Sequence, residues 1–464
     1  MAFGGNNVFR AEEIKSGRPP VSERNFVSPA IEQVIEETKK KLIDENNKFK
    51  GRLLAAMFEN CFPNTLDTTV TTSTIKGKPG EPDKPDTFII TGDIDAMWLR
   101  DSSAQVWPYL PYAAKDDALK TLFQGLIGRQ ARCILIDAYA NAYMRDPSVP
   151  TNLQYTQQDD PYMKKPGVAE HKWEIDSLCY PIRLAHGYWK ATGDKTPFDE
   201  EWRDAMRTVV TTFEVQQTGD GPYHYPWPKN NGTPAKKEKK VGMIYCRFRP
   251  SDDPCRYPFL IPSNLFAATS LRQLAKMGGS VGFDAAFGTE CSGLADEIEG
   301  AAKQYGTHQL DDGTEVWAYE VDGSGNKLFM DDANTPGLLG LPYLGICKTD
   351  DKLYKDTRAA ILRKPPNDYF FKGTAAEGIG SPHTPTDYIW PMSLIMRALT
   401  SDDDTEIKQS LKMLKTTTAG THFMHESFHK DEPCRYTRPW FAWANTLFGE
   451  MVRDILKRKP DLLV

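Results

Sequence analysis

Apolar residues along this chain recur mainly at three- and four-residue steps, with charged residues filling the positions between them, as amphipathic helices require. The longest such run, "AIEQVIEETKKKLIDENNKFKGRLLAAMFENCF", covers residues 30–62. Similar patterns predict helices near 102–113, 116–144, 175–192, 197–216, 263–278, 283–305, 336–346, 351–363, 387–399, 402–418 and 437–458. Loops rich in Gly, Pro and Asp separate them. Alternating runs such as "DTFIITG" and "TEVWAYEVD" are short and too few for a large sheet. The expectation is an all-α chain of about twelve helices with minor β-like loop segments.

No break in composition divides the chain, so residues 30–464 read as one domain behind a peripheral N-terminal arm, 1–29. Six helical hairpins closed in a ring, an (α/α)6 toroid, would use these helices, and so would a globin-like or solenoid packing. The ring is favoured by where the unusual residues lie. Acids and large rings concentrate at helix starts along the whole length, as loops gathered around one mouth would require. The stretch "TGDIDAMWLRDSSAQVWPYLPY" (91–112) is the densest, with Asp93, Asp95, Asp101, Arg100, Trp98 and Trp107 close together. The lysine-rich loop "KNNGTPAKKEKK" (229–240) reads as a solvated excursion.

Bulk properties narrow the partners. Charged residues make up 26% and apolar ones 40%, the balance of a soluble globular protein. A net charge of −6 argues against a nucleic-acid partner. No run of about eighteen apolar residues predicts a membrane span, and the first residues lack the apolar core of a signal peptide. Either the chain stays inside the cell or a leader has been removed. The eight cysteines are scattered without a Cys-x-x-Cys pair and read as buried free thiols, not zinc ligands. The sequon Asn231-Gly232-Thr233 is followed by proline, which makes it a poor acceptor.

Four further segments match the first in density: "WEIDSLCYPIRLAHGYW" (173–189), "RFRPSDDPCRYPFLIPSN" (247–264), "GTAAEGIGSPHTPTDYIWP" (373–391) and "HFMHESFHKDEPCRYTRPWFAWAN" (422–445). A single carboxylate at a helix start is most simply a cap or a dipole partner; five such loops in one chain call for more. His422 and His425 lack the companions of a metal site. Neither a Gly-x-Ser-x-Gly elbow nor a Gly-x-x-x-x-Gly-Lys phosphate loop is present. What remains is carboxylate chemistry in an aromatic-lined pocket, and cleavage of a glycosidic bond needs two acids flanking it.

The motifs resemble those of glycoside hydrolase family 125, metal-independent exo-α-1,6-mannosidases. They are Thr91 to Ser102, Asp176-Ser177-Leu178-Cys179-Tyr180, Arg249-Pro250-Ser251-Asp252-Asp253, Met330-Asp331-Asp332-Ala333-Asn334, Glu377 to Thr384 and His425-Glu426-Ser427-Phe428, and the resemblance spans about 30 to 458. Asp95 stands where many members carry proline, and the 229–240 loop looks inserted. The resemblance implies an (α/α)6 toroid, no cofactor or metal, and an inverting reaction on mannose-containing oligosaccharides. It assigns the general acid to the Asp252–Asp253 pair, with Asp253 preferred on its spacing to Glu426, the implied base. It implies substrate contacts from Asp93, Trp98, Arg100, Asp101, Asp176, Arg249, Asp332, Asn334, Glu377, His383 and His425. Trp98, Arg100 and Asp101 would form the floor of the −1 pocket; without the family, an ion pair at a helix start and a core ring explain them. Competing readings are a calcium-dependent α-mannosidase on a related toroid, a manno-oligosaccharide-binding protein without turnover, and a lyase, which would want a more basic groove.

Overall fold

Two kinds of helix start build this molecule, and the difference places the site. The computed structural model describes residues 14–463 apart from 44–50, 78, 81, 152, 154–164 and 219–239. Most of the 229–240 loop and the Asn231 sequon therefore lie outside the described residues. The helices are α1 (Pro29–Leu42), α2 (Arg52–Cys61), α3 (Asn64–Thr68), α4 (Leu99–Val106), α5 (Asp117–Ile136), α6 (Ile175–Thr192), α7 (Glu200–Thr218), α8 (Ile261–Met277), α9 (Ala285–Tyr305), α10 (Lys352–Ile361), α11 (Pro391–Leu399), α12 (Asp404–Thr416) and α13 (Ala442–Arg458).

Helices of the first kind are amphipathic and carry ordinary caps. Ser28, Asp116, Asp284, Asp351 and Asp403 each accept a backbone N–H in the first turn of α1, α5, α9, α10 and α12. Asp199 does the same for α7, from Trp202 N at 3.0 Å. Helices of the second kind are buried on every side over their first turns: α4 throughout, and the starts of α6, α8, α11 and α13. Their N-cap residues are Trp98, Glu174, Leu260, Trp390 and Phe441, none of which makes a side-chain cap hydrogen bond. These interior helices pack in succession, α4 on α6 and α6 on α8, while α13 packs on both α11 and α4. Tyr180 of α6 meets Phe266 of α8 and Trp443 of α13 edge-on, at centroid distances of 5.2 and 6.1 Å.

Short strands set up the interior helix starts, and the described residues hold only two- and three-stranded sheets. A hairpin of β1 (Val70–Ile75) and β2 (Lys84–Ile89) packs on α5. Then β3 (Met97–Trp98), β4 (Ala142–Tyr143) and β5 (Val168–Glu170) pair antiparallel, with Met97 opposite Tyr143, and β3 runs straight into α4. Strands 388–389, 427–429 and 436–437 form another three-stranded unit just before α11 and α13.

Three expectations are corrected. The 30–62 run is two helices, because Gly51 adopts φ 82° and starts α2 anew. The 116–144 pattern stops being helical at Ile136. Residues 336–346 form turns, not a helix: the buried Asp331 carboxylate takes the amides of Leu338 and Leu339 at 2.7 and 3.0 Å, and Pro336, Gly337, Gly340 and Pro342 disfavour a regular ladder.

The segment after residue 13 is not loose. Arg18 is almost fully buried and pairs with Glu32 at 2.6 Å and Asp67 at 2.8 Å, fastening this arm to α1 and α3. Of the eight cysteines, all free, six are buried, Cys347 is half-buried and Cys434 is exposed. No helix among the described residues is long and apolar enough to cross a membrane.

Candidate active site

A cation in the first turn of a helix opposes the helix dipole, so Arg100 at the start of α4 needs acids around it. Its Nη1 donates to Glu174 Oε2 at 2.7 Å and Asp176 Oδ2 at 3.2 Å, its Nη2 donates to Asp252 Oδ1 at 3.3 Å, and its Nε lies 3.5 Å from Asp101 Oδ2. Glu174 and Asp176 sit at the N-terminus of α6, where the dipole favours negative charge. Asn141 links the cluster further, donating to Glu170 Oε2 at 2.7 Å and Asp252 Oδ1 at 3.2 Å. Lys172 pairs with Glu170 at 2.9 Å.

Burial and charge sort these acids by protonation. Burial pushes Glu174 well above the usual carboxylate range, with the Asp252 and Asp176 charges adding to the effect and Arg100 opposing it. Burial likewise pushes Asp176 up to about 6 and raises Glu170 and Asp101. Asp252 moves the other way. Although burial disfavours its charge, Lys172 and Arg100 together hold its carboxyl well below the usual range. Its backbone has φ 65°, a left-handed conformation that a non-glycine residue holds only under constraint.

Arg100, Asp101, Glu170, Lys172 and Asp252 of this cluster border a cavity of about 370 Å³ at the starts of the interior helices. Trp98 caps α4 and Arg100 and Asp101 lie in its first turn, Glu170 and Lys172 precede α6, and Pro250, Ser251 and Asp252 lie on the loop before α8. Asn334, His383, Thr384 and Trp390 come from the segments before α11; Glu426, Thr437, Arg438, Phe441 and Trp443 complete the wall at α13. Four large rings and a ring of polar groups suit a sugar's apolar and hydroxyl faces. Glu426 is buried, and its Oε1 accepts from Arg438 Nη1 at 3.4 Å. His383 Nδ1 lies 3.6 Å from the buried Oδ2 of Asp253. Asp253, with Asp252 and Glu426 also facing the ring, pushes His383 up to about 9.

Of the residues singled out from the sequence, Trp98, Arg100, Asp101, Asn334, His383 and Glu426 line the cavity, together with Asp252. Others lie outside the lining. Asp176 lies under Arg100, Asp93 pairs with Arg438 at 2.6 Å, and Asp332 accepts from Asn334 and Ser381. Arg249 pairs with buried Glu320 at 2.6 Å, and His425 stacks on Tyr436 with ring centroids 3.7 Å apart. Asp253 lies beside His383 and is not among the residues that line the cavity. Glu377 is not brought to the cavity; it pairs with Lys372 and Arg397. Sequence reasoning missed Asn141, Glu170, Lys172, Glu174 and Arg438. Glu174 and Arg438 were inside segments already marked as dense, whereas Asn141 has no local signal at all. Among the described residues no group of three His, Cys, Asp or Glu is placed to hold a metal ion.

Residues 52–453 match the family model described as metal-independent alpha-mannosidase, glycoside hydrolase family 125. The chain belongs to this family. It is 40% identical over 467 residues to the meiotically up-regulated gene 157 protein of Schizosaccharomyces pombe, covering 96% of this chain and 89% of that one. A Streptococcus pneumoniae metal-independent alpha mannosidase, solved as a non-productive complex with α-1,6-mannobiose, superposes with a TM-score of 0.83 at 36% identity, over 93% of this chain and 99% of that one. A bacterial glucoamylase complexed with acarbose shares only the fold: TM-score 0.52, 9% identity, 79% of this chain and 50% of that one. As a family 125 member the chain is a glycoside hydrolase of the α-mannosidase type, and the mostly helical fold agrees.

Proposed function

We propose that the protein is an inverting, exo-acting α-1,6-mannosidase built as an (α/α)6 toroid. The observation that carries this reading is one cavity holding Glu426, the Asp252 loop and four aromatic rings in a family 125 chain. The linkage rests on likeness to the S. pneumoniae protein, whose complex contains α-1,6-mannobiose. Glu426 is the general base: its carboxylate is on the wall, where it can hold a water against the anomeric carbon. An inverter's acid must carry a proton toward the glycosidic oxygen. Asp252, held ionised between Lys172 and Arg100, is suited to anchoring sugar hydroxyls instead. The acid role goes to Asp253, which Lys172 and Arg100 do not hold, with His383, 3.6 Å away, placed to share the proton that is delivered. Arg100, Asp101, Asn334 and His383 offer further polar contacts to the terminal mannose, with Trp98 as an apolar surface. The mechanism uses no metal, so EDTA is expected to leave turnover unchanged.

Incubation with α-1,6-mannobiose, followed by proton NMR of the first product, tests the reading. Early accumulation of β-mannose is expected, with α-1,2- and α-1,3-mannobiose turned over more slowly. Early α-mannose would mean retention and sink the inverting assignment.

A further inference from the structure

Arg438 is a cavity residue whose guanidinium is shared between two acids from opposite ends of the chain. Its Nε and Nη2 donate to Asp93 Oδ1 at 2.9 and 2.6 Å, and its Nη1 donates to Glu426 Oε1 at 3.4 Å. Nη2 also donates to Thr91 Oγ1 at 3.3 Å, and the guanidinium lies 4.9 Å from the centre of the Phe441 ring. Its backbone is bound to the same acid, since Glu426 N donates to Arg438 O at 3.3 Å. The residue holds φ 37°, which a side chain with a Cβ adopts only where its surroundings impose it. Arginine suits this place because its fork can hold one partner along one edge and reach another from its far nitrogen.

We propose that Asp93 and Arg438 form a clamp that positions the Glu426 carboxylate for water activation, Asp93 fixing the guanidinium and the guanidinium fixing Oε1. The inference rests on Glu426 being the general base. Among the described residues Glu426 Oε2 has no hydrogen bond from the protein, so the clamp leaves that oxygen free to take the water's proton. Asp93 thereby has a use although it does not line the cavity. Arg438 and Asp93 are positioning residues here: Arg438 touches the base, Asp93 holds Arg438, and the base touches the water.

The test is steady-state kinetics on α-1,6-mannobiose with Arg438→Ala, Arg438→Lys, Asp93→Asn and the double variant. Affinity for a non-hydrolysable thiodisaccharide is measured in parallel. Misplacing a carboxylate predicts a kcat lowered roughly tenfold to a hundredfold in Arg438→Ala. Thiodisaccharide affinity should stay within a few-fold, and Arg438→Lys should recover part of kcat. Added methylguanidinium should restore some turnover to Arg438→Ala and none to Glu426→Gln. Asp93→Asn should lower kcat in the same direction, and the double variant should be no worse than Arg438→Ala alone, because the two act as one unit. Lost thiodisaccharide affinity at unchanged kcat would make Arg438 a substrate contact and overturn the clamp. Full kcat in Asp93→Asn would overturn it too, and that variant, changed at a half-exposed site, keeps the test open if Arg438→Ala fails to fold. Near-normal turnover by Glu426→Gln would remove the base assignment itself, a failure distinct from that of the clamp.

Discussion

Asp252 and Asp253 are chain neighbours with opposite surroundings, and their substitutions should differ accordingly. Asp253→Asn removes the proposed proton donor, so turnover of mannobiose should fall by about 10²–10⁴. On an aryl mannoside whose leaving group departs without protonation, the loss should be much smaller. Asp252→Asn breaks the contact with Arg100 and should raise KM and lower kcat alike on both substrates. If Asp252→Asn shows the leaving-group dependence and Asp253→Asn does not, the two roles are exchanged. His383 supplies a pH test. Asp253 and the two nearby acids raise its proton affinity to about 9, above the ordinary imidazole value of about 6.5. The stabilisation from the charged ring is complete below that ordinary value and disappears as pH rises through the raised one. The gap in melting temperature between the wild type and His383→Gln should therefore be wider in mildly acidic than in strongly alkaline buffer. An unchanged gap would mean that the ring is neutral throughout.

Helices divide by how they begin. Those starting at Asp116, Asp199, Asp284, Asp351 and Asp403 announce themselves through an acid before an amphipathic run, which is why they were legible in the sequence. Interior helices start instead from Trp98, Glu174, Leu260, Trp390 and Phe441, and give their first turns to the cavity wall. Truncating an outer cap, as in Asp284→Ala, should cost about 1 kcal/mol in chemical denaturation and leave kcat unchanged. Gly92 should behave differently. It has φ 133° and bridges Phe441, and a Cβ there would sit 2.3 Å from Trp440 O. Gly92→Ala is expected to cost roughly 1–3 kcal/mol and, unlike the cap variant, to lower kcat by disturbing the segment before α13 that carries Arg438. The false helix at 336–346 has the converse origin: its apolar spacing is helical, but buried Asp331 captures two of its amides.

Across the whole molecule, the first dense segment meets the last. Ala442 N donates to Thr91 O at 3.1 Å, bringing the start of α13 against the approach to α4. The arm adds a second tie, and Arg18→Met, which leaves buried Asp67 only the longer Arg24 contact at 3.7 Å, should cost up to about 3 kcal/mol in thermal or urea unfolding; no measurable loss would show that the arm is dispensable. Sequence alone determined most of the helices, the shortness of the strands, the five dense segments and the acids from which a site could be made, because periodicity and helix-start signals are local. Tertiary structure decided which acids face the cavity and which serve behind it. Arg100 draws its partners from 74, 76 and 152 residues away. Asp252 is held ionised and Glu174 is pushed toward protonation by neighbours that no local pattern reveals. In a buried site of low dielectric, such long-range proximity sets each carboxyl's charge, and the charge sets its role.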